Sequence, residues 1–275
     1  MPAAAPLTNA GDAFHVFLFK TNSHKYAAPP RRLFTSQPGL ISCLFIALAC
    51  LLALASDAQA QKRRTFSGAR AAVVVDERLA ALRDAPDLSA PLRQRLGRGR
   101  ALSLTGQRRE ADGVSFYNVA VTRRTRGWLQ AESFVAASRA GDDARLLRLI
   151  RGSEDFDRLA RARIFLDIFE RSTLRPAVLL IYGEAADAAA VRLSVEAARR
   201  LDAREMEAGG APAHSYFMNY NGLDRYRKQG VGFTFDAAAK RFRYDGAAWR
   251  ELVRRYPRSP EAASARARLA ARAAL

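Results

Sequence analysis

Cysteine is almost absent from this chain. Its 275 residues hold two, Cys43 and Cys50, and both lie in the one long apolar run. Everything after residue 60 is therefore without a disulfide, a thiol nucleophile or a thiolate metal site. Histidine is nearly as scarce: of three, only His214 lies beyond residue 60. A lone histidine with no nucleophile-elbow motif supports no Ser-His-Asp arrangement, and it reads as a loop residue. Metal-ligand spacing is missing as well. Gly230-Val231-Gly232 lacks the third glycine and the following helix of a phosphate loop. The acidic groups Asp142-Asp143 and Glu154-Asp155-Asp157 stand at expected helix starts, where the dipole favours anions. No catalytic residue, metal or cofactor is expected, and the chain reads as non-enzymatic.

Negative charge is also short. Forty-five Lys and Arg face 27 Asp and Glu, a net charge of +18. Four of those cations and two of the anions fall in the first sixty residues, so the remainder keeps a surplus of 16. Nearly all of it is arginine, because Lys62, Lys228 and Lys240 are the only later lysines. Arginine and alanine abundant together reflect base composition, and nucleic acid is not an expected partner. A basic exported chain meets anionic glycans, stem-peptide carboxylates and lipid headgroups instead.

Export is the expectation from residues 1–60. The uncharged stretch Leu40–Ala55 follows Arg31-Arg32 and leads into Ala58-Gln59-Ala60, the three parts of a secretory signal. Its sixteen residues fall short of the roughly twenty that span a bilayer. The expected site of action is the periplasm or the exterior, with cleavage after Ala60. An uncleaved anchor is the other reading, and it is the only membrane contact expected. Arg31-Arg32-Leu33-Phe34 is similar to a twin-arginine motif, which leaves that route open beside the general secretory one.

After a linker at 61–70, residues 71–136 read as short strands. Ala72-Val73-Val74-Val75 and Ala101-Leu102-Ser103-Leu104 are compact apolar runs, and Phe116–Val121 alternates with Tyr117, Val119 and Val121 on one face. The turn Thr122–Gly127 precedes a return strand at Trp128-Leu129-Gln130. Several short strands with turn chemistry between them suggest a small barrel. Leu79–Pro86, the segment Leu92–Gly99, the aromatic strand Phe116-Tyr117-Asn118-Val119, the signature Gly127-Trp128-Leu129 and the closing Glu132-Ser133-Phe134-Val135 follow in order. Together these segments resemble a bacterial SH3-like domain (SH3b). That resemblance implies a noncatalytic module binding cell-wall peptides or protein segments. Its first loop, Ala85-Pro86-Asp87-Leu88, departs from the family in having no glycine.

Residues 141–275 change to helical period. Ala186, Ala190, Leu193, Ala197 and Leu201 form one stripe, and Trp249, Leu252, Val253 and Tyr256 another. An echo at a shift of 87 lays Phe165, Phe169 and Ser172 on Leu252, Tyr256 and Ser259. Tyr256-Pro257-Arg258-Ser259-Pro260-Glu261 resembles the inter-helix turn of tetratricopeptide-like repeats in envelope assembly proteins. Between the two units, Phe233-Thr234-Phe235 and Phe242-Arg243-Tyr244 flank Asp236–Lys240 as a β-hairpin. The ten aromatics from Tyr216 to Tyr256 suit either packing onto the helices or stacking on sugar rings.

The expected architecture is multidomain, all-β plus mainly α: an SH3-like barrel at 71–136, then a tetratricopeptide-like helical-hairpin domain at 141–275 with an inserted β-hairpin. The expected function is non-catalytic binding or scaffolding in the cell envelope, towards a wall glycan or peptide or an envelope protein. A cell-wall hydrolysis accessory or enzyme with an unrecognised site is the alternative. Candidate ligand-binding residues are Arg123, Arg124 and Arg126, three guanidinium groups at one hairpin tip, together with Tyr117 and Trp128. In so small a barrel, Trp128 is also expected to pack the core.

Overall fold

The computed structural model describes Gly68 and residues 70–273. The expected export segment and its expected cleavage point after Ala60, both cysteines and most of the linker at 61–70 lie outside the described residues. What is described combines an antiparallel sheet with helices.

The sheet has seven strands: β1 (Ala71–Val74), β2 (Ala81–Arg83), β3 (Leu92–Arg95), β4 (Ala101–Ala111), β5 (Val114–Ala120), β6 (Arg126–Gln130) and β7 (Phe134–Ala136). They hydrogen-bond in the order β3-β2-β6-β5-β4-β1-β7. The eleven-residue β4 is long enough to pair with β1 on one side and β5 on the other. Its register with β5 shifts between Leu104 and Arg108, where Gly106 takes a φ of 93° that other residues resist.

Among the described residues the sheet does not close into the expected barrel, since β3 and β7 end the order and do not pair with each other. The reason lies beyond β7, where α1 (Asp142–Arg151) occupies the place a closing strand would need. Val75 N donates to Ser133 O at 2.8 Å, so alternation turns Phe134 O and Ala136 N to the outer edge. Arg145 of α1 donates to Phe134 O, and Ala136 N donates to Asp142 Oδ2 at 2.9 Å. Side chains of one helical turn thus satisfy two outward main-chain groups of β7, and Asp142 is buried there.

The run Ala72-Val73-Val74-Val75 is apolar throughout because β1 is covered on both faces. Ala72 and Val74 join Leu82, Leu102, Leu129 and Phe134 inside the sheet. Val73 and Val75, with Val135 of β7, join Leu146, Ile150, Leu159 and Phe165 of the helices. Each such valine contributes about 1.5–3 kcal/mol by leaving water. The change of secondary structure near Gly141 therefore does not coincide with the division between the two cores, since Val73, Val75 and Val135 before it pack with the helices after it.

Helices α2 (Asp155–Ile168) and α3 (Arg175–Arg200) follow α1, then the short α4 (Ala203–Gly209), α5 (Ala213–Met218) and α6 (Asp224–Arg227). The hairpin β8 (Phe233–Asp236) and β9 (Arg241–Tyr244) pairs as its alternation requires, Asp236 opposite Arg241. It leads to α7 (Ala247–Arg255) and α8 (Pro260–Ala273). The 26-residue α3 is the axis of this half, and its stripe Ala186, Ala190, Leu193 and Ala197 is buried. Trp249 of α7 lies close enough to α3 that a Cβ at Gly183 would come within 2.2 Å of its indole nitrogen.

The echo at a shift of 87 recurs in the hydrogen bonds. Phe169 N to Phe165 O (2.9 Å) corresponds to Tyr256 N to Leu252 O (2.9 Å). Ser172 N to Phe169 O (3.2 Å) corresponds to Ser259 N to Tyr256 O (3.0 Å), and Arg175 N to Ser172 O to Ala262 N to Ser259 O. Two helical hairpins, α2–α3 and α7–α8, thus turn by one main-chain pattern.

Candidate functional site

The β5–β6 hairpin carries the arginines predicted from sequence. Val121 N donates to Thr125 O at 2.9 Å, and the Thr122 hydroxyl accepts from Arg124 N and Thr125 N, so the tip is held by its own backbone. Arg123, Arg124 and Arg126 are exposed there. None of their guanidinium groups has an ion pair or a hydrogen bond among the described residues. They are three unneutralised cations on a fixed turn, an arrangement suited to carboxylate or phosphate oxygens.

Trp128 and Tyr117 do not join them on one surface. The hairpin register places Asn118 opposite Trp128 and Tyr117 opposite Leu129, so the two rings leave opposite faces of the sheet. Leu129 and Val119 fill the core side. Trp128 is half-buried on the outer face, between Asn118 and Arg83 of β2, and the expectation that it packs the core is corrected. Of the two rings it is Trp128, two residues beyond Arg126 on β6, that shares a face with one of the three arginines. Arg93 of β3 reaches that tip, its Nη1 donating to Arg126 O at 3.3 Å.

Tyr117 belongs to the junction with the helices. It meets Phe134 edge-on at 5.6 Å, and the Arg139 guanidinium lies 4.9 Å from its centroid and 5.0 Å from that of Phe134. Arg139 also donates to Ala131 O at 3.0 Å and approaches Asp142 at 3.7 Å. Beyond it opens a cleft of ≈ 850 Å³ between the β7–α1 link and the α2–α3 turn, lined by Asp143, Asp167, Phe169 and Arg171 among others. Its charges are mixed, and the Ser172 hydroxyl already donates to Asp143 at 2.6 Å. None of the five predicted residues lines it. A signal for the cleft was present in Arg171-Ser172, the repeated turn, but nothing local says that β7 ends beside it.

The other acidic groups hold the structure together. Asp155 and Asp157 open α2, as the dipole argument expects. Arg98, in the turn between β3 and β4, bonds both oxygens of Asp157, and this hold keeps that carboxyl below its ordinary range. Arg161 is buried, donates to Val75 O at 3.1 Å and to the Ser153 hydroxyl at 2.6 Å, and its pKa is lowered by desolvation.

The aromatic window resolves mainly as packing. Phe217, Tyr220, Tyr226, Phe233, Phe242, Tyr244 and Trp249 are buried, leaving Tyr216, Phe235 and Tyr256 partly exposed. His214 is exposed on α5 rather than in a loop, 6.1 Å from the Phe235 ring. Among the described residues no group of three or more His, Cys, Asp or Glu is placed to hold a metal. No described helix is long and apolar enough to cross a membrane.

No protein-family model matches this chain, and neither a curated protein nor a solved structure matches it.

Proposed function

We propose that this chain is a non-catalytic binding or scaffolding protein of the cell envelope, in which an SH3-like sheet presents a cationic hairpin to an anionic wall component. The observation that carries the reading is the triad Arg123, Arg124 and Arg126, exposed at one hairpin tip with no neutralising partner among the described residues. The strand order supports the SH3-like part: a β2–β3 hairpin, the meander β4–β5–β6, a 3₁₀ turn at Ala131–Ser133, and β7 returning to β1. The twin turns of α2–α3 and α7–α8 support the tetratricopeptide-like part. Residues 40–60 support export, and with it a periplasmic or secreted site of action.

The test is co-sedimentation with purified sacculi, using protein from the exported fraction whose intact mass starts at or near Gln61. An Arg123/Arg124/Arg126→Ala variant is compared with an Arg199/Arg200/Arg204→Ala control from the helical half. The hairpin variant is expected to bind far less than the control at moderate salt, where unspecific attraction is screened beyond about 10 Å. Equal loss in both variants reduces the hairpin to bulk charge and defeats the reading.

A further inference from the structure

The two edges of the sheet are treated differently. At β7 the outward Ala136 N and Phe134 O are taken up by Asp142 and Arg145 of α1, and Ala136 O accepts from Arg139 N. At β3 the outward main-chain groups are open among the described residues. Leu96 N donates to Ala80 O at 2.9 Å and Gln94 pairs with Leu82, so the main-chain groups of those two residues face β2. Alternation then turns the N–H and C=O of Arg95 away from the sheet. The register jumps from Leu82–Gln94 to Arg83–Leu92, a bulge that leaves Arg93 without a partner on β2. All four residues of β3 are exposed.

Charge alone is a sufficient reason for arginines here, because cations on an edge discourage unwanted pairing. Apolar exposure is not explained that way. Among the described residues the exposed large hydrophobics are Leu79 (37%), Leu88 (52%), Leu92 (49%), Val191 and Val195, and the first three belong to the β2–β3 hairpin and its approach. Leu92 lies opposite Arg83, whose other neighbour across the ladder is Trp128. Arg95 has neither an ion pair nor a side-chain hydrogen bond among the described residues. Arg93 pairs with Asp84 and leans on Arg126 O, bringing the cationic tip alongside. An unpaired strand edge, half-exposed leucines and the uncompensated Arg95 and Arg126 thus occupy one place.

We propose that the free edge of β3 takes up an extended acidic segment of a partner protein by strand addition. Main-chain bonds to Arg95 supply the pairing. Leu92 and Arg95 lie opposite Arg83 and Ala81 and so leave one face, where every second side chain of the partner meets them: an apolar one at Leu92, with Leu88 beside it, and a carboxylate at Arg95. This inference goes beyond the wall-binding reading and stands without it, since a sacculus result of either sign leaves it unchanged.

The test uses the whole protein and an acetylated peptide whose odd positions alternate glutamate and valine and whose even positions are serine, followed by amide hydrogen exchange. The Arg95 amide is expected to exchange at least about tenfold more slowly with the peptide bound. Methylating alternate main-chain nitrogens of the peptide keeps its charge and removes its donors, and is expected to abolish both protection and binding. A Leu88→Asp/Leu92→Asp variant, altered only at exposed positions, is expected to bind about tenfold or more weakly. Equal binding of the methylated peptide means ionic adsorption and overturns the proposal. So does binding without protection at Arg95, or no binding at all.

Discussion

Arg98 of the sheet holds both carboxylate oxygens of Asp157 on α2, at 2.6 and 2.9 Å, and so ties the strands to the helices. The arginine side chain is 13% exposed and the aspartate 49%, so solvent weakens the pair on one side only.

Asp157 and Asp76 both titrate below their ordinary value of 3.8, Asp157 mainly through its bonds from Arg98 and Asp76 through those from Arg78. A depressed carboxyl adds stability that is complete above the unfolded value and is lost as pH falls through the folded one. Urea midpoints are therefore expected to be flat from about pH 7 to pH 5 and to drop below about pH 4. Asp157→Asn is expected to lower the plateau and flatten the acid limb. An unchanged limb in that variant rules out a contribution from this pair.

Because Val73, Val75 and Val135 share a core with Leu146 and Phe165, sheet and helices are expected to unfold together. Leu146→Ala is expected to cost about 2–5 kcal/mol. The loss should appear equally in far-UV circular dichroism and in the fluorescence of Trp128 in the sheet, read in a Trp249→Phe background. A fragment from Gly141 to Leu275 would expose those apolar side chains, so it is expected to be less stable than the same residues in the whole chain. Two separate transitions in the whole protein would contradict the shared core.

Gly183→Ala tests the approach of Trp249. Alanine favours a helix by about 0.8–1.0 kcal/mol over glycine, yet here its Cβ would lie 2.2 Å from the indole nitrogen. Overpacking of this kind costs about 1–3 kcal/mol, so a net loss and a shifted Trp249 emission are expected. A stabilised variant would mean that the indole moves aside freely.

Trp128→Ala is expected to cost less stability than Leu129→Ala, which should lose about 2–5 kcal/mol. The reason is their opposite faces: Leu129 is fully buried, whereas Trp128 is half-buried on the outside. Thermal unfolding of the two variants decides it, and the reverse ranking would place the indole in the core.

Local patterns are legible in the chain itself. The hairpin Phe233–Tyr244 follows from alternation around Asp236–Lys240, and the buried stripe of α3 from residues three and four apart. The helix starts at Asp142 and Asp155 and the matching turns at Ser172 and Ser259 also rest on contacts within a few residues. So does the exposed arginine tip, since a short polar turn between two strands has nowhere to be but outside.

What tertiary structure alone decided is which elements meet. Period two says that Tyr117 and Val119 share a face, but only the β5–β6 register sends Trp128 to the other one. The run at Val73–Val75 signals burial without saying that its two faces serve different cores. Neither Asp142 nor Arg145 announces that it will take the place of a closing strand beside β7, because that role exists only once the helix lies against the edge. A chain specifies its turns and periods through neighbours a few bonds away. It specifies its edges, junctions and clefts only through groups far apart in sequence, whose pairing costs loop entropy and is repaid when all of them come together.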